Sequence, residues 1–436
     1  MEFNINQIID KKVQEKTLSL DEITFVVNQF NQGEITNGRM IDFMSAINEK
    51  NFSYQETLFL AQAIANTGEK LNISDRVGYV VDKHSVGLIS DATTLIFMSV
   101  LASLGVKNVK VLADVYSSHR NTLDRFKSFK NFNAKVSTKR LCDIINTVGV
   151  GVVEQSTRFA PVDKKMYLLR KQSGIVSIPL IASSILAKKI ATGVNAVVYD
   201  VKVGEGGLAD DKKQAGILAT FLVEASKLAG IAAASVITNL DQPLGSCMGA
   251  KVEIEETLAV LRNDRALYDA KLIDVARELV VVALCLTGKA KGRTEATNMF
   301  EQAVESEKAK EKFKEIITAY GGKYEDFKHS VEDLLGGVAV SYITASDNGY
   351  VGDVNLTKFM QGYKTLANNN GVFDKNAGIV LLAREGAKID YGDKIARVFY
   401  SIGSRGYFDS INTFKEAIKV AKVKPSVHSV FYKVII

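Results

Sequence analysis

The chain has 436 residues, of which 47% are apolar and 24% charged, with a net charge of +6 and no tryptophan. This length fits two or three domains at roughly one per ~150 residues, and the composition is that of a globular protein. The mild positive balance suits a small anionic substrate, and no Lys/Arg block of the kind that tracks a nucleic-acid backbone occurs. In chain order, the first seventy residues read as helices. Ile5, Ile8, Ile9 and Val13 share a face. Ser19-Leu20-Asp21-Glu22 is a capping box ahead of Ile23, Val26, Val27 and Phe30 at helical spacing. Ser53-Tyr54-Gln55-Glu56 is a second, ahead of Leu58, Leu60, Ala61 and Ile64, and Thr67-Gly68 closes that helix.

From Val77 the pattern becomes short β-branched runs between helices. Val77–Val81, Val109–Leu112, Gly149–Val153, Ala196–Val203 and Ala233–Thr238 have strand length. Strands that alternate with helices predict an α/β domain with a mostly parallel sheet. Pro161–Gly193 interrupts as a helical segment expected to pack back on the N-terminal helices. After Asp333 come turn signals: Gly336-Gly337, Asn348-Gly349, Gly352-Asp353, Asn368-Asn369-Asn370-Gly371 and Tyr391-Gly392-Asp393, with a helix expected over Phe414–Ala421. The division is therefore a small all-helical domain (1–70 and 161–193), a larger α/β domain (71–160 and 194–331) and a C-terminal α+β domain (332–436). Cys142, Cys247 and Cys285 are far apart, odd in number and without metal spacing, as expected of reduced thiols in a cytoplasmic protein. Met1-Glu2-Phe3-Asn4 has no signal-peptide pattern, and no apolar run reaches membrane-spanning length.

Two segments carry chemistry. Asp82-Lys83-His84-Ser85 reads as a charged turn after the strand Val77–Val81, ahead of a helix that begins near Ser90. Free N–H groups and the helix dipole make such a place an anion pocket. Lys83 adds a point charge, Ser85 a hydroxyl, and His84 a group that moves a proton near neutral pH. Alone, the four residues equally describe a solvated turn. The second segment holds Arg170 and the run Ser177-Ile178-Pro179-Leu180-Ile181-Ala182-Ser183-Ser184-Ile185-Leu186-Ala187-Lys188-Lys189. Ser184 and Lys188 are four apart and share a helical face. With the fork of Arg170 they suit a flat, polar, partly anionic ring; the plain alternative is a basic helix end.

With both segments in hand, the chain resembles the thymidine and pyrimidine-nucleoside phosphorylase family essentially end to end. The resemblance is strongest at Asp82–Ser85, Arg170, Ser177–Lys189, Asp200–Gly204 and Asp241-Gln242-Pro243-Leu244-Gly245. It implies a substrate cleft between the helical and α/β domains, a homodimer, and reversible phosphorolysis of thymidine- or uridine-type nucleosides. By position, Lys83, Ser85, Thr94, Lys110 and Thr122 match phosphate-binding residues. Arg170, Ser184 and Lys188 match those that hold the pyrimidine, and His84 the histidine beside the base carbonyl. The catalytic set it implies is His84, Arg170 and Lys188. No organic cofactor is expected. Some relatives bind a monovalent cation at positions matching Ser90, Ala92, Leu244, Cys247 and Glu256, where Ala92 lacks the hydroxyl ligand.

The glycine-rich loops of the family are rewritten here. Lys83-His84-Ser85-Val86-Gly87-Leu88-Ile89-Ser90-Asp91 stands where the family has Lys-His-Ser-Thr-Gly-Gly-Val-Gly-Asp. Leu112 replaces a phosphate-binding serine and Asp114 an arginine, with Tyr116, His119 and Arg120 in the same loop. Two further readings therefore stand beside phosphorolysis. One is a non-catalytic relative that binds a nucleoside or a protein partner, favoured by Leu88 or Tyr116 inside the anion pocket. The other is phosphoribosyl transfer on the same architecture. Asp200 and Lys202 read equally as cleft supports or as a structural ion pair.

Overall fold

A computed structural model describes residues 3–89, 92–112, 121–209, 211–327, 338–369, 371–426 and 429–436. The chain opens with four helices: α1 (Ile5–Val13), α2 (Leu20–Gln32), α3 (Asn37–Lys50) and α4 (Tyr54–Asn66). Both capping boxes form, with Ser19 and Glu22, and Ser53 and Glu56, satisfying backbone N–H groups reciprocally. A turn of helix, α5 (Ser74–Val77), leads to β1 (Val81–Val86). Then come α6 (Thr93–Ser103), β2 (Asn108–Leu112), α7 (Thr122–Phe126), α8 (Thr138–Val148) and β3 (Val150–Glu154). Helices α9 (Pro161–Gln172) and α10 (Ile178–Thr192) interrupt the alternation and pack on α3 and α4. The chain returns with β4 (Ala196–Val203), α11 (Lys212–Leu228), β5 (Ala232–Asn239), β6 (Cys247–Met248), α12 (Ala250–Leu261), α13 (Ala270–Leu286), α14 (Arg293–Glu305) and α15 (Lys308–Ala319).

Strands β5, β4, β1, β2 and β3 lie in that order, all parallel. Because both faces are covered, their apolar residues divide by strand period between two cores. Val80, Val86, Val197 and Tyr199 join the core shared with the N-terminal helices and α11. Val81, Val198 and Val236 join that of α6 and α13. Among the described residues, the C-terminal α+β region builds a four-stranded antiparallel sheet that includes Cys247–Met248, a three-stranded one and a two-stranded hairpin, around a core that includes Phe359, Tyr363, Ile379, Val398 and Phe414.

Four sequence-based expectations are corrected. The strand expected at Val77–Val81 starts at Val81, since α5 occupies Ser74–Val77 and Gly78 leaves it at φ +81°. Asp82–Ser85 is consequently strand, not turn. The helix expected over Phe414–Ala421 spans Tyr407–Ala417, and Ile418–Ala421 is a strand paired with Gly349–Val354. The β-branched Ile418 and Val420 favour that extended form. Gly352-Asp353 lies inside the strand Gly349–Val354 rather than at a turn. Finally, Phe431–Ile435 leaves the C-terminal region and pairs antiparallel with β5, so the sheet of the α/β domain is completed by the chain's end. Gly336-Gly337 lies outside the described residues.

Candidate active site

Strand β1 carries polar residues on both faces, so each must find a partner. Lys83 and Ser85 share one face. The Lys83 ammonium is 1% exposed and contacts Ser85 Oγ at 2.5 Å, Thr93 Oγ1 at 2.8 Å, Thr94 Oγ1 at 3.3 Å and Asp200 Oδ2 at 3.1 Å. Asp200 sits on β4 opposite Ser85 in register. It also pairs with Lys202 at 2.9 Å and accepts from Thr238 Oγ1 at 2.7 Å. Asp200 and Lys202 thus form a buried ion pair that also supports Lys83. Thr93 and Thr94 open α6, whose N-cap, Ala92, gives no side-chain cap. The positive end of that helix's dipole lies beside the Lys83 ammonium, through Thr93 and Thr94, which suits an anion.

The remodelled loop does not bury Leu88 against Lys83. Leu88 is 54% exposed, and its backbone N–H donates to Gly206 O at 2.9 Å. Gly87 is required by contact: a Cβ there would meet Lys202 Cγ at 2.8 Å. Leu112 is a buried residue of the core beneath α6. Asp114, Tyr116, His119 and Arg120 lie outside the described residues, as do Ser90 and Asp91. Thr122 is buried at the start of α7, and among the described residues no hydrogen bond joins it to Lys83, Ser85 or Thr94.

Asp82 and His84 point the other way. Lys110 reaches Asp82 Oδ1 at 3.4 Å and donates to the Lys83 carbonyl oxygen. The ladder between β1 and β2 is joined only at Val81 and Asn108, so this ammonium serves a carbonyl beyond it. Burial brings Lys110 down to about 8, against the pull of Asp82. Burial works to raise Asp82, but Lys110 and Lys189 outweigh it and keep the carboxyl below its ordinary value. His84 is held well below its ordinary range by burial and by the ammonium groups of Lys189, Lys110, Lys188 and Lys83. Near neutral pH it is an uncharged donor rather than an imidazolium.

Helices α9 and α10 supply the other side. Asp163, in the first turn of α9, and Arg170, in its last, are seven residues apart and share a face. Lys188 pairs with Asp163 Oδ2 at 2.6 Å and lies 3.3 Å from Ser184 Oγ. Arg170 is half-buried, with Tyr167 5.8 Å from its guanidinium carbon, and Nη1 is buried with no hydrogen-bond partner among the described residues. Burial pushes its pKa down, against the pull of Asp163. A narrow pocket lined by Met44, Ile64, Asp163, Tyr167, Arg170 and Ser184 opens here. Three residues of the site went unassigned in the sequence: Thr93, Asp163 and Lys189. The i, i+7 spacing of Asp163 and Arg170 was a usable signal for one of them.

Of the cation positions, Glu256 keeps a carboxylate. It is 2% exposed, and its Oε1 accepts from the N–H groups of Ser246 at 2.6 Å and Asp269 at 3.3 Å. Ala92 offers no side-chain oxygen, so the donor set fits a cation poorly. Among the described residues no group of three His, Cys, Asp or Glu has metal-holding geometry. Burial raises Glu256 to about 7. The native state then holds a proton that the unfolded chain loses above about 4.5, so stability falls as pH rises from there through 7. Glu256→Gln should therefore melt above the wild type at pH 8 in buffer free of Na⁺ and K⁺, with the gap closing towards pH 5. A lower melting temperature for the variant at pH 8 would overturn this.

The three cysteines are free. Among the described residues no helix is long and apolar enough to cross a membrane. Residues 6–68 match the helical bundle domain of a glycosyl transferase family, and residues 78–310 match its a/b domain. The chain is 32% identical over 397 residues to a pyrimidine-nucleoside phosphorylase of Staphylococcus epidermidis, with 90% of each chain covered. A pyrimidine-nucleoside phosphorylase of Staphylococcus aureus is 31% identical over the same length and coverage. Among solved structures, the anthranilate phosphoribosyltransferase of Thermus thermophilus is similar with a TM-score of 0.57 and 14% identity, covering 72% of this chain and 99% of that one. At that identity the likeness is one of fold.

Proposed function

The chain belongs to the glycosyl transferase family that includes the pyrimidine-nucleoside phosphorylases, and from that premise we propose that it catalyses the reversible phosphorolysis of thymidine- or uridine-type nucleosides. Phosphate would sit against Lys83, Ser85 and Thr94 at the mouth of α6. One of its oxygens attacks C1′ of the sugar as the bond from C1′ to the ring nitrogen breaks, and that electron pair leaves with the base. The products are the free pyrimidine and a (deoxy)ribose 1-phosphate. Negative charge develops on the base O2 and ring nitrogen. Arg170 and Lys188 stabilise it, Ser184 orients the ring, and His84 donates a hydrogen bond. Holding phosphate and sugar in line supplies much of the rate.

The observation that carries this reading is continuity. Lys83, Asp200, Lys110, Asp82, Lys189 and His84 form one connected polar set, and Lys188, beside Lys189 in sequence, leads from it to Asp163. The chemistry requires no organic cofactor. A homodimer and a cytoplasmic location belong to the same proposal; the free thiols support the second. One feature favours the non-catalytic reading: the Lys83 ammonium already has Asp200 and three hydroxyls, with which phosphate must compete. Phosphoribosyl transfer has the likeness of fold alone behind it. The deciding assay is release of uracil or thymine from uridine and thymidine with and without phosphate. Phosphate-dependent release is expected; no release at any phosphate concentration would leave the binding reading in its place.

A further inference from the structure

The geometry points to Lys189 as the positioning residue of His84: its ammonium, held by Asp82, fixes the imidazole as the tautomer that carries its proton on Nε2. Lys189 Nζ lies 2.5 Å from Asp82 Oδ2 and 3.1 Å from His84 Nδ1. An ammonium has only donors, so the atom facing it must offer a lone pair. Nδ1 is then unprotonated, and the ring's one N–H is at Nε2.

The arrangement follows from two periodicities. On β1, Asp82 and His84 are two apart and share a face, so one cation can reach both. On α10, Lys188 and Lys189 differ by about 100° of rotation. Lys188 turns to Ser184 and Asp163, while Lys189, 4% exposed, turns to the sheet. The last turn of α10 thereby ties a helix packed on the N-terminal bundle to a strand of the α/β sheet. Its backbone is fixed there too, since Leu71, Ile73 and Ser74 donate to the carbonyls of Ala191, Thr192 and Gly193 at 2.7–3.0 Å. Asp82 is the anchor. Its second oxygen faces Lys110, so the carboxylate is held from both sides and cannot follow the imidazole. A histidine free to rotate or to change tautomer would present Nε2–H to the departing base only part of the time.

The inference rests on phosphorolysis for its catalytic consequence but not for its tautomer. Among the described residues, the groups around His84 are Asp82 on its own face of β1, Lys110 on β2, Tyr199 opposite it on β4, and Lys188 and Lys189 on α10, with the Lys83 charge acting from the other face of β1. Removing the Lys189 charge leaves Asp82, on the same face of β1, as the neighbouring carboxylate among the described residues. The acid limb of the kcat profile should then move to higher pH. In Lys189→Met, kcat should fall by about tenfold to a hundredfold, with KM for nucleoside and phosphate changed far less. Lys189→Arg, which keeps a donor-only cation, should restore part of kcat.

The direct reading is nitrogen NMR of the enzyme labelled in histidine. There are four histidines, and His84→Asn assigns the signal of interest. Wild type should show a lone-pair Nδ1 and a protonated Nε2 from pH 6 to 8, and Lys189→Arg the same. Lys189→Met should show mixed tautomers or protonation at higher pH. A protonated Nδ1 in the wild type overturns the inference, and so does a Lys189→Met spectrum unchanged from wild type. If Lys189→Met does not fold, the wild-type and Lys189→Arg spectra still decide. A wild type that releases no base overturns the phosphorylase reading instead, and leaves the tautomer to the spectra.

Discussion

Arg170→Met is expected to lower kcat/KM for the nucleoside by roughly two to four decades while leaving Tm unchanged or raised. The proposed role gives the Arg170 fork up to two charge-assisted hydrogen bonds to the departing base, and losing bonds worth about 1.5–3 kcal/mol each would produce this drop. The gain follows from what the guanidinium lacks in the free protein. Its Nη1 is buried with no hydrogen-bond partner among the described residues, and such a donor costs about 1–3 kcal/mol. Methionine fills the stem of that space with a flexible apolar chain and lacks that donor. Asp163 does not become an orphan, because Lys188 remains 2.6 Å away. Stability held back for function is the signature expected of a binding residue. Kinetics and thermal melts on the same preparations separate the cases. A drop of several degrees in Tm alongside the kinetic loss would make Arg170 a structural residue.

Lys83→Met should behave oppositely on stability. The apparent KM for phosphate should rise at least about a hundredfold, since the buried ammonium is lost and the hydroxyls of Ser85, Thr93 and Thr94 lose the group that orients them. Tm should also fall, because Asp200 is buried and loses one of its two cations. Breaking a buried pair costs about 3–5 kcal/mol, and the remaining Lys202 and Thr238 should keep the loss towards the lower end. Phosphate titration by calorimetry, with melts in parallel, tests both halves. Unchanged phosphate affinity in a folded Lys83→Met protein would remove Lys83 from the anion site and leave it a structural partner of Asp200.

The two variants differ because one cation is satisfied before any ligand arrives and the other is not. That contrast is invisible in the sequence, where Lys83 and Arg170 are two basic residues beside apolar runs. It depends on whether a carboxylate from a distant strand reaches the head group. For Lys83 that carboxylate is Asp200, more than a hundred residues on, placed by the register of β4 against β1.

What the sequence determined by itself was set by local physics. Capping boxes at Ser19 and Ser53 fixed two helix starts because the bonds they make span only three residues. Alternation of apolar runs with helices specified the parallel sheet, since only such a sheet buries both faces of its strands. The spacing of Ser184 and Lys188 placed both on one side of α10. Only the tertiary structure decided the rest. It moved Asp82–Ser85 from a turn into a strand, and so sorted Lys83 and Ser85 to one face and Asp82 and His84 to the other. It set Lys189 against His84 and paired Asp163 with Lys188. It also carried the final strand back to β5. The physical reason is the same in each case. A charge in water is indifferent to its neighbours, but a buried one must be paired. Which residue pairs it is settled by strand register and helix packing across long stretches of chain, which no local window contains.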